Sequence, residues 1–573
     1  MKQKVDGLMR SRWLRENGFS VGLYLLVTVF TSARFMGDTI DYARSIVWYD
    51  RNRYYEFWEF GHLLWRPLGW VLVRTSFPLT SLIVGKDPQA NTTVILLVIN
   101  WLAGLIGVVS LAALLRLICR SSWSINIATT SFIVSYAFLN FLHSGAPYIP
   151  GLSCLLIALY INVRMEIRAE KTTPWATLVA VCLAAAVCLW LPFVLAVPAV
   201  LVAPLAFTHN SRRSVRLIIY TAFISGIIVA SVYLAVVVGA LGIHTIAGLR
   251  LWMQHTVGPS EHNLPRTVFG LARSCIYMGE DGMLVKRYLI HDPFNPVTAL
   301  ELFRLSIWKL FAFYVFLASI LINLLLSKQG KKMLALFLLN AVPVVAFAIY
   351  WQGGDPERYL PLYPLMFVAL GFSLERHPGS RALFKYFVFC FVLIAAVTNI
   401  HSLTTLVLDR QQESAAVRVR SLVPLLKPNS VVFTANWQDD LVNFNRSFPF
   451  NPINRQSNLL ITAVITPGDA DITRWREVFA ERALSVWKQG GDVWLSNRSR
   501  SQRPKSDWNW VEGDDRRVSW TDIYRFFAQL EMGQSVGGED GFMLLLPSPE
   551  NKQRLDQLNK VSSGNLKISP ESQ

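Results

Sequence analysis

The sequence predicts a mainly α-helical polytopic membrane protein of about eleven transmembrane helices with a soluble α/β domain at its C-terminal end. Three observations predict it. Of the 573 residues, 53% are hydrophobic and 16% charged, and the mean hydropathy is +0.36. A soluble chain of this length is less apolar and more charged. Apolar runs of about 18 or more residues recur up to residue 408, each long enough for a hydrocarbon core roughly 30 Å thick. Beyond residue 409 the pattern changes to short strand-like runs alternating with helical stretches. The expected division is a transmembrane domain over 1–408, with outer loops at 36–90 and 242–304, and an extracytoplasmic α/β domain over 409–573. The residues after about Lys552 are expected to be disordered.

The elements follow in order. Residues 1–18 carry Lys2, Lys4, Arg10, Arg12 and Arg15 before the apolar run 19–35. A signal peptide opens the same way, but this run is long and lacks a small-x-small cleavage site. It reads as the first span, with the N-terminus in the cytoplasm. Residues 62–85 are apolar but interrupted by Arg66, Pro67, Arg74 and Pro78. With Trp58, Trp65 and Trp70 nearby, they are expected to lie on the membrane interface rather than cross it. Spans are expected near 92–116, 125–142, 147–163, 175–190, 191–207, 215–241, 305–326, 333–351, 359–375 and 383–408. The run 175–207 is too long for one span and has Pro192 in its middle, so it divides in two.

The charges support this order. Inner loops near Arg116 and Arg120, Arg164 to Lys171, Arg212 to Arg216, Lys328 to Lys332, and Arg376 to Lys385 are all basic. The outer turns near His143–Pro147 and Trp190–Pro192 lack Lys and Arg, and Gln352–Arg358 has Arg358 alone. That asymmetry orients the chain and accounts for much of the net charge of +17, so nucleic acid is not an expected partner. The protein is expected to be integral to the inner or plasma membrane. Six cysteines form no CxxC pair, and His244, His255, His262 and His291 have no metal-ligand spacing.

In the tail, strands are expected at Val431–Thr434, Leu459–Ile465, Val493–Leu495 and Phe542–Leu546, with helices near 472–488 and 521–532. The stretch 498–517 is basic and polar. It reads as a solvated loop, or as a contact for anionic headgroups.

Three stretches carry chemistry. Asp38 and Asp41 stand where the first span meets water and, three apart, share a face if the segment is helical. An acid at such a boundary is costly unless solvated, paired or used. The second stretch, His62 to Leu68, includes Arg66. The third runs Gly353-Gly354-Asp355-Pro356-Glu357-Arg358-Tyr359-Leu360-Pro361-Leu362-Tyr363-Pro364. A helix opening with prolines is broken at its mouth, and broken backbone at membrane depth needs protein or a cavity around it.

The order of these stretches resembles the GT-C membrane glycosyltransferases, most of all the branch with the protein O-mannosyltransferases and lipid A aminoarabinose transferases. The resemblance covers about residues 15–408; the tail has no such counterpart. It implies a GT-C-like transmembrane fold and a polyprenyl-phosphate-linked sugar as donor, with a lipid, glycan or protein as acceptor. It implies that Asp38 or Asp41 is the general base, or helps a divalent metal position the donor. Arg358, with Tyr359, would bind the donor phosphate, and His62, Arg66 and Glu357 would orient substrate. The acids here are Asp38-x-x-Asp41 rather than an adjacent Asp-Glu pair, which leaves open which one is catalytic. A transporter, or a flippase or ligase for lipid-linked glycans, is the alternative.

Overall fold

The computed structural model describes residues 17–33, 38–52, 57–169, 172–207, 211–256, 264–279, 283–375, 381–408, 417–434, 460–463, 472–505, 510–513 and 516–565. The chain forms two compact units, Met1–Met278 with Ser306–Leu408, and Gly279–Leu305 with Asp409–Gln573. Residues 279–305, expected within the outer loop 242–304, thus group with the tail. Met36, Gly37 and His262 lie outside the described residues.

The first unit is helical: α1 (Asn17–Phe30), α2 (Thr39–Asn52), α3 (Trp65–Val84), α4 (Pro88–Ile118), α5 (Ser122–Ile133), α6 (Tyr136–Leu142), α7 (Tyr148–Ile167), α8 (Thr173–Leu189), α9 (Val197–Val202), α10 (Ser211–Leu234), α11 (Ile246–Thr256) and α12 (Leu264–Cys275). Two short helices of the second unit, α13 (Met283–Ile290) and α14 (Ala299–Leu302), intervene. The first unit resumes with α15 (Trp308–Leu325), α16 (Lys328–Tyr350), α17 (Tyr363–Glu375) and α18 (Arg381–Leu408).

Among the described residues, seven helices are long and apolar enough to cross a membrane, or eight if the pair α5 and α6, bent by 57°, counts as one. Asn17–Phe30, Thr173–Leu189 and Leu191–Ala206 are apolar but shorter. The expected span at 359–375 is not one continuous helix. Pro356 and Pro361 hold Pro356–Leu362 in 3₁₀ form, and the 13-residue α17 that follows is buried almost throughout. α3 passes the test of length and composition although Arg66 and Arg74 lie within it.

Side chains stitch the broken backbone. Asn340 on α16 donates to the Pro361 carbonyl at 2.9 Å. Asn162 on α7 donates to Val200 and Leu201 beneath the interrupted segment 191–206. Without water nearby, each such carbonyl would otherwise be costly.

The second unit holds a five-stranded sheet of order β2-β1-β3-β5-β4. β1 (Val431–Thr434) runs parallel to β2 (Leu460–Ala463) and β3 (Val493–Ser496); β5 (Phe542–Leu545) is antiparallel to β3 and to β4 (Met532–Val536). Val431, Phe433, Val493 and Leu495 pack against Phe479, Ala480 and Ala483 of α19 (Trp475–Lys488) and Phe527 of α20 (Trp520–Ala528). Val432, Trp494 and Phe542 face the opposite way, onto Val419, Leu422 and Leu426. Both faces are covered, which is why β1 and β3 read as unbroken apolar runs.

Three expectations for the tail change. The helix near 521–532 ends at Ala528, and Met532–Val536 becomes an exposed edge strand too polar to signal itself. Arg498, expected in a solvated loop, is buried in the turn Asn497–Arg500 with its guanidinium 3.9 Å from Asp540. The chain past Lys552 continues as α21 (Pro549–Asn565), because the buried Asn551 ties its start to Leu546 and Glu531 and Leu555 packs into the core.

Candidate active site

Asp38 stands at the start of α2, its carbonyl accepting from Tyr42 N at 2.8 Å. The next residue anchors the helix. Thr39 Oγ1 accepts from Gly145 N at 2.7 Å, and the Gly145 carbonyl accepts from Trp65 Nε1 at 2.9 Å. One turn in the loop before α7 therefore fixes the start of both α2 and α3. Asp38 and Asp41 are both exposed, but helical spacing places Tyr42, not Asp41, beneath the Asp38 carboxylate. The Tyr42 hydroxyl donates to Asp38 Oδ2 at 3.4 Å and lies 3.5 Å from His62 Nδ1. Burial, then the Asp38 charge, pushes Tyr42 well above its ordinary value, so it keeps the proton it donates.

Glu59 is the hub of the next group. Its carboxylate takes His62 Nδ1 at 3.0 Å on one oxygen and Arg66 Nη1 on the other. Burial alone would raise Glu59; His62 and Arg66 outweigh it and hold the carboxyl well below the usual range. The Arg66 guanidinium also covers the Tyr42 ring, 4.7 Å from its centroid. Because an ionised carboxylate accepts, Nδ1 is the protonated nitrogen of His62. Its Nε2 is buried and has no hydrogen-bond partner. The strand of chain carrying this group is gripped from outside. Trp252 Nε1 donates to the Trp58 carbonyl and Tyr233 Oη to that of Phe60, both at 2.8 Å.

The second half of the site follows α16. Gln352 adopts a left-handed φ of 47°, and Gly353 comes next. A Cβ on Gly353 would run into Thr267 Oγ1 of α12 and the Ala348 carbonyl, so only glycine fits. This turn presents Arg358, whose Nη2 donates to Gln352 Oε1 at 2.6 Å. Asp355 lies 3.8 Å and Glu357 3.9 Å from the same nitrogen. Glu357 is 5% exposed, and burial, followed by the Asp355 charge, lifts it to about 8 against the pull of Arg358. Burial opposes the charge on Arg358, but Glu357, Asp355, Tyr148 and Asp38 sustain it. Among the described residues, the buried Arg358 Nε and Glu357 Oε2 have no hydrogen-bond partner.

Tyr148, at the start of α7, stands between the two halves. Its ring lies 6.1 Å from that of His62 and 4.9 Å from those of Phe141 and Trp190. The charges of Glu357, Asp38, Arg358 and Glu59 all act on it. Asp38 in turn acts on Glu357, Arg358 and Arg66. The structure thus gathers Asp38, His62, Arg66, Glu357 and Arg358 into one electrostatic cluster, with Asp41 exposed on the same helix.

Tyr359, expected at a donor phosphate, has its hydroxyl engaged within the fold. It is fully buried with its hydroxyl turned to the Gly353 and Thr267 carbonyls, at 2.6 and 2.8 Å, where it anchors the turn. Sequence reasoning gave no role to Glu59, Tyr42, Tyr148, Gln352 or Asp355. The spacing Glu59-x-x-His62-x-x-x-Arg66 was a usable signal for the first, and the single turn from Asp38 to Tyr42 for the second. Among the described residues, no group of three or more His, Cys, Asp or Glu is placed to hold a metal ion.

No sequence family and no curated protein matches this chain. Solved structures do. ArnT from Cupriavidus metallidurans bound to undecaprenyl phosphate aligns with TM-score 0.50 and 11% identity over 93% of this chain and 98% of its own. The same protein in the apo state gives TM-score 0.49 and 11% identity over 94% and 98%. The Archaeoglobus fulgidus oligosaccharyltransferase in the apo form gives 0.45 and 12% over 86% of this chain and 70% of its own.

Proposed function

We propose that this chain, whose fold is that of the GT-C membrane transferases, moves a sugar from a polyprenyl-phosphate donor to an acceptor hydroxyl on the non-cytoplasmic side. The observation that carries the reading is the convergence of an exposed acid, Asp38, with a partly buried Arg358 whose enclosed Nε lacks a partner among the described residues, in one cluster around Tyr148. Asp38 takes the acceptor proton as the hydroxyl oxygen attacks the anomeric carbon. Arg358 holds the phosphate, to which the electron pair of the breaking carbon–oxygen bond passes. Arg66 is already neutralised by Glu59 and acts by fixing Tyr42 and His62 rather than by gripping phosphate. The ArnT structure contains undecaprenyl phosphate, which supports a polyprenyl phosphate as the ligand class.

Contacts within the first unit support the membrane arrangement. Thr39 and Trp65 both bond Gly145, so both ends of the stretch from α3 to α6 lie on one side. α4 and the bent α5–α6 pair account for one crossing each way, which leaves α3 lying along the surface. Gln352 to Arg358 meets the same cluster, so α16 also ends on this side. With α17 as a crossing, the count is about eleven, N-terminus inside and C-terminal unit outside.

Mass spectrometry of envelope lipids, glycans and proteins from a strain lacking the chain tests the proposal. Loss of one sugar from one class, restored by the wild-type chain but not by Asp38→Asn, is expected. Intact glycosylation with lost solute uptake would instead make it a carrier.

A further inference from the structure

Glu357 is not the partner that Arg358 holds most closely. The guanidinium makes its short bond to Gln352 at 2.6 Å and leaves Glu357 at 3.9 Å, nearly the same as Asp355. Glu357 is buried, its Oε2 has no hydrogen-bond partner, and the charges of Asp355 and Asp38 both face it. Tyr148 from α7 also acts on it and brings no positive charge. Arg358 is shared among three carboxylates, of which Glu357 alone is buried away from water, and a buried charge without a close partner is strongly disfavoured. The carboxyl that gives way is the most buried one.

We propose that Glu357 donates a hydrogen bond through Oε2 to the phosphate held by Arg358, and passes its proton to that phosphate as the sugar leaves. This rests on the donor-site reading above and assigns a catalytic role beyond it. The balance is closed. The acceptor O–H proton goes to Asp38, the acceptor oxygen bonds the anomeric carbon, and the anomeric carbon–oxygen bond breaks toward phosphate. The departing phosphate takes the Glu357 proton and leaves as a monoanion with Glu357 ionised. Water then returns a proton from Asp38 to Glu357. Ionised Glu357 beside Asp355 and Asp38 repels the phosphate just formed, which assists its release.

The raised value of Glu357 agrees with this role, since an acid must hold its proton at working pH to give it up. On the adjacent residue, Arg358 Nε is likewise without a hydrogen-bond partner among the described residues, and it is a donor that a phosphate oxygen would satisfy.

The test is binding of undecaprenyl phosphate to the full-length purified chain from about pH 6 to about pH 10, with Glu357→Gln and Glu357→Ala. Wild-type affinity is expected to fall by up to about tenfold per pH unit above the Glu357 titration. Deprotonation of the phosphate cannot mimic that fall, because a dianion binds Arg358 more tightly. Glu357→Gln keeps a donor that does not titrate, so its affinity is expected to show no fall on the alkaline side. Glu357→Ala is expected to bind weakly at every pH, with folding checked by thermal unfolding. A flat wild-type profile, or the same alkaline fall in Glu357→Gln, overturns this proposal alone. No binding by wild type at any pH overturns it together with the donor-site reading.

Discussion

Glu59 and Glu357 are the same residue, both largely buried, on the two halves of one cluster, and they are held in opposite proton states. Glu59 meets a histidine and an arginine at bonding distance, one on each oxygen. Glu357 meets one arginine at 3.9 Å, already engaged elsewhere, and two more acids. The charge of a buried carboxyl is decided by how many donors reach its oxygens, not by burial itself. Here that rule builds a fixed anion under His62 and Arg66, and a proton-bearing acid beside Arg358.

The largest effect expected is at the acid outside this pair. Asp38→Asn should lower sugar transfer by about 10²–10⁴-fold, the range for removing a general base. Thermal stability should be unchanged, because Asp38 is exposed and its carboxylate accepts a long bond of 3.4 Å from the Tyr42 hydroxyl. A loss of folding with this variant would mean that Asp38 belongs with Glu59 as a structural anion.

Next comes Glu59→Gln. It leaves Arg66 buried with its charge unmatched, a change that costs about 3–5 kcal/mol in comparable sites. A clear drop in unfolding temperature of the detergent-solubilised protein is expected. Glu357→Gln should do the reverse and raise it. If the two variants shift stability in the same direction, the contrast between the carboxyls fails.

The pH dependence sharpens the same contrast. The folded value of Glu59 lies below its unfolded value, so its stabilisation is complete above about pH 4.3 and is lost as pH falls through the folded value. The folded value of Glu357 is raised, so its contribution is complete below about pH 4.3 and lost as pH rises toward about 8. The unfolding temperature of Glu357→Gln relative to wild type should therefore widen between about pH 5 and about pH 8. That of Glu59→Gln should stay parallel to wild type over the same window.

Much of this was legible in the sequence, and the reasons for the rest are specific. Apolar runs and basic loops gave the helices, and the strand-like runs at Val431, Leu460, Val493 and Phe542 gave four of the five strands. Asp38, His62, Arg66, Glu357 and Arg358 could be picked out because charge near a membrane is conspicuous. Tyr148 could not, since an aromatic at a helix start reads as an interface anchor, and only the fold shows it between two carboxyls. Tyr359 shows the complementary limit. Beside Arg358 in sequence, it is turned away by the 3₁₀ path that Pro356 and Pro361 impose.

The smallest effect expected is at the link between the halves. Tyr42 joins Asp38 to His62 by contacts of 3.4 and 3.5 Å, at the long end for hydrogen bonds, and its ring carries Arg66. Tyr42→Phe keeps the ring and removes only the hydroxyl, so a loss of about 0.5–1.5 kcal/mol of transition-state stabilisation is expected, a few-fold in turnover. Undecaprenyl phosphate affinity should not change, because Arg358 and Glu357 are untouched. If Tyr42→Phe weakens that binding as much as it slows transfer, the two halves are one rigid unit in which the base and the phosphate grip cannot be separated. The difference between Glu59 and Glu357 would then be a property of the whole cluster rather than of each carboxyl's own partners.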